Sequence, residues 1–330
     1  MKIFLLHLFE RFSRGGISSF NDHLYIQLLE LGYHPILVKL KITQQFQDKE
    51  SFPILYLSHE EIVEICHDSM ALITFCSYAE NHSLVKRLIL MGIPIVIHDP
   101  VEYYPELLSL ASTHSGIITI RKKNQQNLAE MGHKSTFIHH PYNPVKSNNK
   151  SRNGSVSCSR LSYCKGIELL IQANELNSGI DMYGEMNKDY FLEYLSKEIS
   201  WRRFYKGEIE NNLEFKINLF SRYNYFLDMS VITMDGGGSQ YSFLEAWNSG
   251  CILIINESWL LNDDEMIPGV NCLIAKDGIQ IAEIIKSGKG YDTSIHESYL
   301  EKHNAQNSGM KFLEFILLQN QKRKGSHPNK

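Results

Sequence analysis

Asp235-Gly-Gly-Gly-Ser-Gln-Tyr-Ser-Phe-Leu-Glu245-Ala-Trp-Asn-Ser-Gly250-Cys-Ile-Leu-Ile-Ile-Asn256 reads as a glycine loop that opens a short helix, which then runs into an apolar strand. Three successive glycines, Gly236, Gly237 and Gly238, let the backbone come close to a ligand. The first turn of the helix behind them presents N–H groups with no intrahelical partner, so the loop is suited to an anion. Glu245 lies two turns further on. Gly250 ends the helix, because a residue without Cβ accepts the left-handed conformation that the position after a helix usually needs. A glycine loop before a helix is also an ordinary turn, so the reading depends on what surrounds it.

On both sides the same unit recurs. Residues 2–7 predict a buried strand, Phe12-Ser-Arg-Gly-Gly-Ile17 a glycine turn, and Ile17 to Leu31 a helix with Phe20, Leu24, Leu28 and Leu29 at helical spacing. Strands follow near 35–40, 53–57, 71–76, 95–98, 117–121 and 135–140, with helical patterns near 59–67, 80–91, 102–112 and 123–131 between them. The polar run from Tyr142 to Gly154 reads as a linker, and alternation then restarts. Strands are expected near 156–159, 181–184, 202–205, 225–231, 251–256 and 271–275, and helices near 166–176, 187–197, 211–221, 278–286 and 305–319, with a frayed tail from Gln321. Repeated strand–helix alternation means parallel, doubly wound sheets. The expected division is a first domain over 1–145, a second over 155–304, and a C-terminal helix with tail over 305–330.

Bulk properties narrow the function. At 330 residues the chain exceeds what one core normally supports. A net charge of −4 argues against a generally basic nucleic-acid binder, while leaving room for a local basic stripe. Six scattered cysteines without a CxxC pair read as reduced and structural, which points to the cytoplasm. No run approaches the roughly eighteen apolar residues of a membrane span, and the N-terminal apolar run meets Glu10, Arg11 and Arg14 too early for a signal peptide. No Asp-x-Asp or His/Cys cluster has metal-ligand spacing near a phosphate motif, so no metal is expected.

In doubly wound sheets ligands collect at the carboxyl ends of strands, and with two such domains the cleft between them is the expected active site. Arg160 and Lys165 stand five residues apart across a strand-to-helix turn, where cations oppose the helix dipole unless an anion lies between them; the alternative is a solvated turn. His98-Asp99 follows a strand and reads either as a reactive pair or as a core-edge histidine held by its neighbour. Glu245 is either a helix surface residue or an acceptor for sugar hydroxyls. Gly184 and Glu185 close another strand. Arg121, Lys122 and Lys123 follow the 117–120 strand, with Arg14 expected beside them; they either meet a polyanion or open a solvated helix.

Taken together, Gly15-Gly16 after strand one, Ser-Arg-Leu-x3-Lys-Gly at 159–166, Tyr-x-Gly-Glu at 205–208 and Phe-Leu-Glu-Ala at 243–246 followed by Gly250 resemble the GT-B glycosyltransferases of family four. The resemblance spans nearly the whole chain. It implies two Rossmann-like domains facing each other across a cleft, with a UDP-sugar as donor and no bound cofactor. It also implies that Arg160 and Lys165 hold the donor diphosphate, that Glu245 meets the donor ribose, and that Gly15 and Gly16 lie near the phosphates, with Gly184 and Gly236–Gly238 completing the donor site. One departure stands out: the first Glu of the family's Glu-x7-Glu pair falls at Gly237, which leaves the transferred sugar to backbone N–H groups or Asp235. Within the superfamily, the Gly turn, Ser51-Phe-Pro53, His98-Asp99, Arg160–Gly166 and Leu244–Ile255 are similar to the retaining glucosyltransferases with which T-even phages modify hydroxymethylcytosine in DNA. That narrower resemblance implies a phage enzyme working in the host cytoplasm on a hydroxylated base of double-stranded DNA, reached by flipping. His98 and Asp99 then become the catalytic candidates, and Arg14, Arg121, Lys122 and Lys123 the acceptor contacts. Two other readings stay open: a glycan, lipid or protein acceptor, or a non-catalytic module that binds a sugar nucleotide or DNA.

Overall fold

The computed structural model describes residues 1–9, 16–46, 52–76, 82–98, 105–146, 151–197, 199–210, 212–231, 240–261 and 265–325. The chain forms two compact units, Met1–Asn143 with Lys302–Lys330, and Pro144–Glu301.

In the first unit, strands and helices alternate as β1 (Lys2–Leu8), α1 (Gly16–Glu30), β2 (His34–Leu40), β3 (Ile54–Leu57), α2 (His59–His67), β4 (Met70–Cys76), α3 (His82–Leu90), β5 (Ile95–Ile97), α4 (Pro105–His114), β6 (Ile117–Thr119), α5 (Lys122–Glu130) and β7 (Thr136–Phe137). The strands pair in parallel in the order β3-β2-β1-β4-β5-β6-β7. Their cores are apolar on both faces, as a sheet covered by helices on both sides demands. Helix boundaries follow local chemistry: Ser58 and Glu61 cap α2 reciprocally, with the Ser58 N–H donating to the Glu61 carboxylate at 2.8 Å.

The second unit repeats the plan with β8 (Ser155–Cys158), α6 (Ile167–Glu175), β9 (Ile180–Tyr183), α7 (Lys188–Tyr190), β10 (Tyr205–Gly207), α8 (Leu213–Phe220), β11 (Tyr225–Asp228), α9 (Gln240–Asn248), β12 (Ile252–Asn256), β13 (Leu273–Ala275), α10 (Gly278–Ser287) and α11 (His296–Glu301). Its parallel sheet runs β10-β9-β8-β11-β12-β13. Helix α12 (Met310–Gly325) then returns to the first unit and packs on β4.

Gln27 of α1 ties the exit from the first unit to the return. Its amide donates to the carbonyls of Tyr142 (3.1 Å) and His303 (2.8 Å), and the Tyr142 N–H donates to His303 at 2.8 Å. Tyr142 is fully buried and the Asn143 N–H donates to His23, so the first two residues of the polar run belong to the first unit.

Three expectations need correction. The strand near 202–205 forms later, as β10, because Trp201 turns inward, buries its ring and donates its indole N–H to Leu195; a 3-10 turn over Ser200–Arg203 delivers it. The helix near 187–197 is a short α7 followed by a π-helical turn over Phe191–Leu195. The tail expected to fray from Gln321 stays helical through Gly325, because Arg323 donates to the carbonyls of Cys66 and Ser69 and to the Asn320 side chain. Helix α11 and the 3-10 turn over Lys41–Phe46 are additions that the periodicity of the sequence does not announce.

Candidate functional site

In the second sheet, strand order reverses between β8 and β11, and an open α/β sheet binds its ligand outside the carboxyl ends of the strands at such a reversal. Cys158 ends β8 and Asp228 ends β11. Asp228 is 3% exposed; it accepts from the Ser230 N–H at 3.0 Å and from the Ser242 hydroxyl on α9. One turn further along α9 stands Glu245, also buried, whose Oε1 lies 3.0 Å from the Lys216 ammonium of α8. The solvated-surface alternative for Glu245 therefore does not hold. Burial pushes the Cys158 thiol up to about 12, with Lys216 opposing and Glu245 and Asp228 adding to the rise, so it stays a neutral packing group.

Helix α9 is held by its sides. Besides the Asp228–Ser242 and Lys216–Glu245 contacts, Trp247 donates to the Asn271 carbonyl at 3.0 Å and Asn248 exchanges hydrogen bonds with the backbone of Val145. Gly250 ends the helix at φ 69°.

The loop from β8 to α6 carries Arg160 and Lys165. Two residues there take left-handed backbone, Cys164 (φ 61°) and Gly166 (φ 60°); a Cβ on Gly166 would fall 2.4 Å from the Met229 carbonyl, so only glycine fits beside β11. Arg160 is exposed, and its Nε faces Glu185 at 3.8 Å in a half-solvated pair that binds the guanidinium weakly. Lys165 is half-buried just before the helix. Gly184 has its reason inside the fold: at φ 144° its backbone passes so close to Ser159 that a Cβ would overlap the Ser159 carbonyl.

In the first sheet the order reverses between β1 and β4. His7 of β1 is buried there. Its Nδ1 accepts from the Asn21 amide at 2.9 Å, and burial, then Lys39 and His98, pull the ring down to about 3. His98 follows β5, set edge-on between Phe20 (4.8 Å) and Phe75 (5.9 Å). Its Nε2 lies 2.8 Å from the Thr74 carbonyl. A carbonyl can only accept, so Nε2 carries the proton, and the neutral ring keeps a lone pair on Nδ1. Burial pulls His98 down to about 4 against the help of that hydrogen bond, with the Arg121 charge also lowering it. His140 is likewise held well below its ordinary value, by burial first and then by His303, Arg121 and His98. The Arg121 charge thus acts on both His98 and His140. Lys122 instead lies over the Phe137 ring at 5.8 Å, and Lys123 is half-buried on α5.

Asp99, Arg14, Gly15 and Gly236–Gly238 lie outside the described residues, and Gly16 opens α1. Among the described residues no group of three His, Cys, Asp or Glu side chains is placed to hold a metal ion, and no helix is long and apolar enough to cross a membrane. Sequence reading missed Lys216, although a signal exists: Leu213, Lys216, Ile217 and Phe220 share one helical stripe, and a cation on an apolar stripe implies a buried partner.

No protein-family model and no curated protein sequence matches the chain. Solved structures match it along nearly its whole length. A glycosyltransferase involved in avilamycin A biosynthesis superposes with a TM-score of 0.65 at 16% identity, over 97% of this chain and 98% of its own. An alpha-glucosyltransferase in complex with UDP and a 13-mer DNA containing a HMU base gives 0.66 at 15%, over 96% and 99%. The pneumococcal O-GlcNAc transferase in complex with UDP and GlcNAc gives 0.69 at 12%, over 97% and 99%. At such identities the likeness is one of fold, and the fold is GT-B, with two Rossmann-like units built on parallel sheets of seven and six strands.

Proposed function

We propose that the chain is a retaining glycosyltransferase that takes its sugar from UDP. The observation that carries this is the buried Glu245 at the strand-order reversal of the second sheet, in the unit where Arg160 and Lys165 stand on the loop after β8. In this reading Glu245 accepts hydrogen bonds from the ribose and the two cations hold the diphosphate. The bond between the anomeric carbon and the diphosphate breaks with its electron pair staying on UDP. Arg160, Lys165 and the N-terminal end of α9 stabilise that charge. The acceptor oxygen takes the carbon, and its proton goes to a base, for which Nδ1 of His98 is the described candidate in the first unit.

The acceptor we favour is a hydroxymethyl pyrimidine in double-stranded DNA. Its support is the resemblance around His98-Asp99 and the fold shared with an enzyme solved on DNA containing a HMU base. A glycan or protein acceptor is the second reading, favoured by the net charge of −4 and by the fold shared with an O-GlcNAc transferase. Incubating hydroxymethylated DNA with a panel of UDP-sugars and analysing its nucleosides by mass spectrometry decides between them. A mass gain of one hexose or pentose per modified base is expected. Unmodified nucleosides, alongside UDP-sugar turnover on a glycan or protein, hand the acceptor to the second reading. UDP binding with no transfer to any acceptor leaves the non-catalytic module.

A further inference from the structure

The Lys216–Glu245 pair is unusual in its setting. The two side chains are only 15% and 9% exposed, and they meet between α8 and α9 rather than on a rim. The charges of the pair, and of Asp228 at the end of β11, act on the buried Cys158 thiol at the end of β8. The Lys216 ammonium approaches Oε1, and Oε2 accepts no hydrogen bond from any described residue. An ionised carboxylate has about four lone-pair sites, so one bond at Oε1 leaves Oε2 whole as an acceptor.

We infer that Lys216 is a positioning residue for donor recognition: it holds the Glu245 carboxylate turned so that Oε2 meets the vicinal hydroxyls of the donor ribose. The inference rests on the donor reading above. A buried carboxylate deprived of its cation has two responses, to take up a proton or to swing toward water. The first turns one oxygen from acceptor into donor and the second moves both away. Each loses the hydrogen bonds from the ribose while leaving the diphosphate contacts in place. Lys216 therefore acts on ribose specificity through Glu245, without touching the sugar itself.

The test compares UDP with 2′,3′-dideoxy-UDP by calorimetry. Wild-type protein is expected to prefer UDP by about tenfold or more, the worth of one hydrogen bond to a charged group. Lys216→Met should lose about that factor for UDP and little for the dideoxy analogue, so the preference collapses toward one. In turnover its KM for the UDP-sugar should rise while kcat changes little, and Lys216→Arg should restore most of the preference. Lys216→Gln, whose neutral amide is too short to reach Oε1 as the ammonium does, repeats the measurement with less strain on the fold. A folded Met or Gln variant with the wild-type preference overturns the inference, and so does failure of both to fold, which would make the pair a structural brace. Wild-type protein that ignores UDP altogether defeats the donor reading itself. Wild-type protein that binds UDP and its dideoxy analogue alike defeats only the role of Glu245 and Lys216.

Discussion

Arg160 reaches solvent from a loop and Lys165 precedes a helix, so replacing either with Ala should leave the fold in place and act on the ligand. Each variant is expected to lose about tenfold to a hundredfold in UDP affinity, since a charge-assisted hydrogen bond contributes about 1.5–3 kcal/mol. Wild-type UDP affinity in both variants would place the diphosphate elsewhere. The histidines make a separate prediction. His7 and His98 are held to about 3 and about 4 in the folded chain against an ordinary 6.5, and His296 to about 4, each by burial first. Between pH 6.5 and 4 the unfolded chain then binds protons that the folded chain refuses, so stability is full above about 6.5 and falls as pH drops toward 4. The urea midpoint should be lower at pH 5 than at pH 7.5, and His98→Gln should shrink that difference. A midpoint that stays level would mean that these rings are charged or solvated. On turnover, His98→Ala should lower kcat by about a hundredfold or more if Nδ1 is the base.

At the scale of elements, the last turn of α12 depends on one side chain. Arg323 carries bonds to Cys66, Ser69 and Asn320, and Arg323→Ala should strip hydrogen-exchange protection from residues after about 316 while the β-strands keep theirs. Unchanged protection would show that packing alone holds the helix. This pin also explains what sequence can and cannot tell. Alternation of apolar strands with 3.6-period helices is local, and it locates the strands of both sheets to within a few residues. A polar run such as the one from Gln321 reads as fraying, because the two carbonyls that Arg323 meets lie some 250 positions earlier in the chain. Distance along the chain also hides Lys216: its partner sits 29 residues on, across a strand and a glycine loop. Trp201 shows the converse, a local pattern overridden because burying an indole outweighs continuing a strand.

For the whole molecule the open matter is how a chain with 33 Lys and Arg against 37 Asp and Glu would hold a polyanion. Binding to duplex DNA would have to come from a local cluster, and the start of α5 is the described place where cations gather after a first-sheet strand. Of its three, Arg121 is half-buried and its charge acts on His98 and His140, which leaves it less free than a solvated cation to meet a phosphate. Lys122 and Lys123 remain. Lys122 lies against Phe137, a cation–π contact of about 0.5–1 kcal/mol that phosphate can outcompete, and Lys123 projects from the first turn of the helix. Replacing both with Ala should flatten the dependence of duplex affinity on salt by about one unit for each phosphate no longer neutralised. UDP affinity should not move, since neither residue lies in the unit that carries Glu245 and Arg160. A double variant with the wild-type salt slope would shift the DNA-binding surface elsewhere on the protein. Wild-type protein with no duplex affinity at low salt would remove DNA as the acceptor and favour the glycan or protein reading.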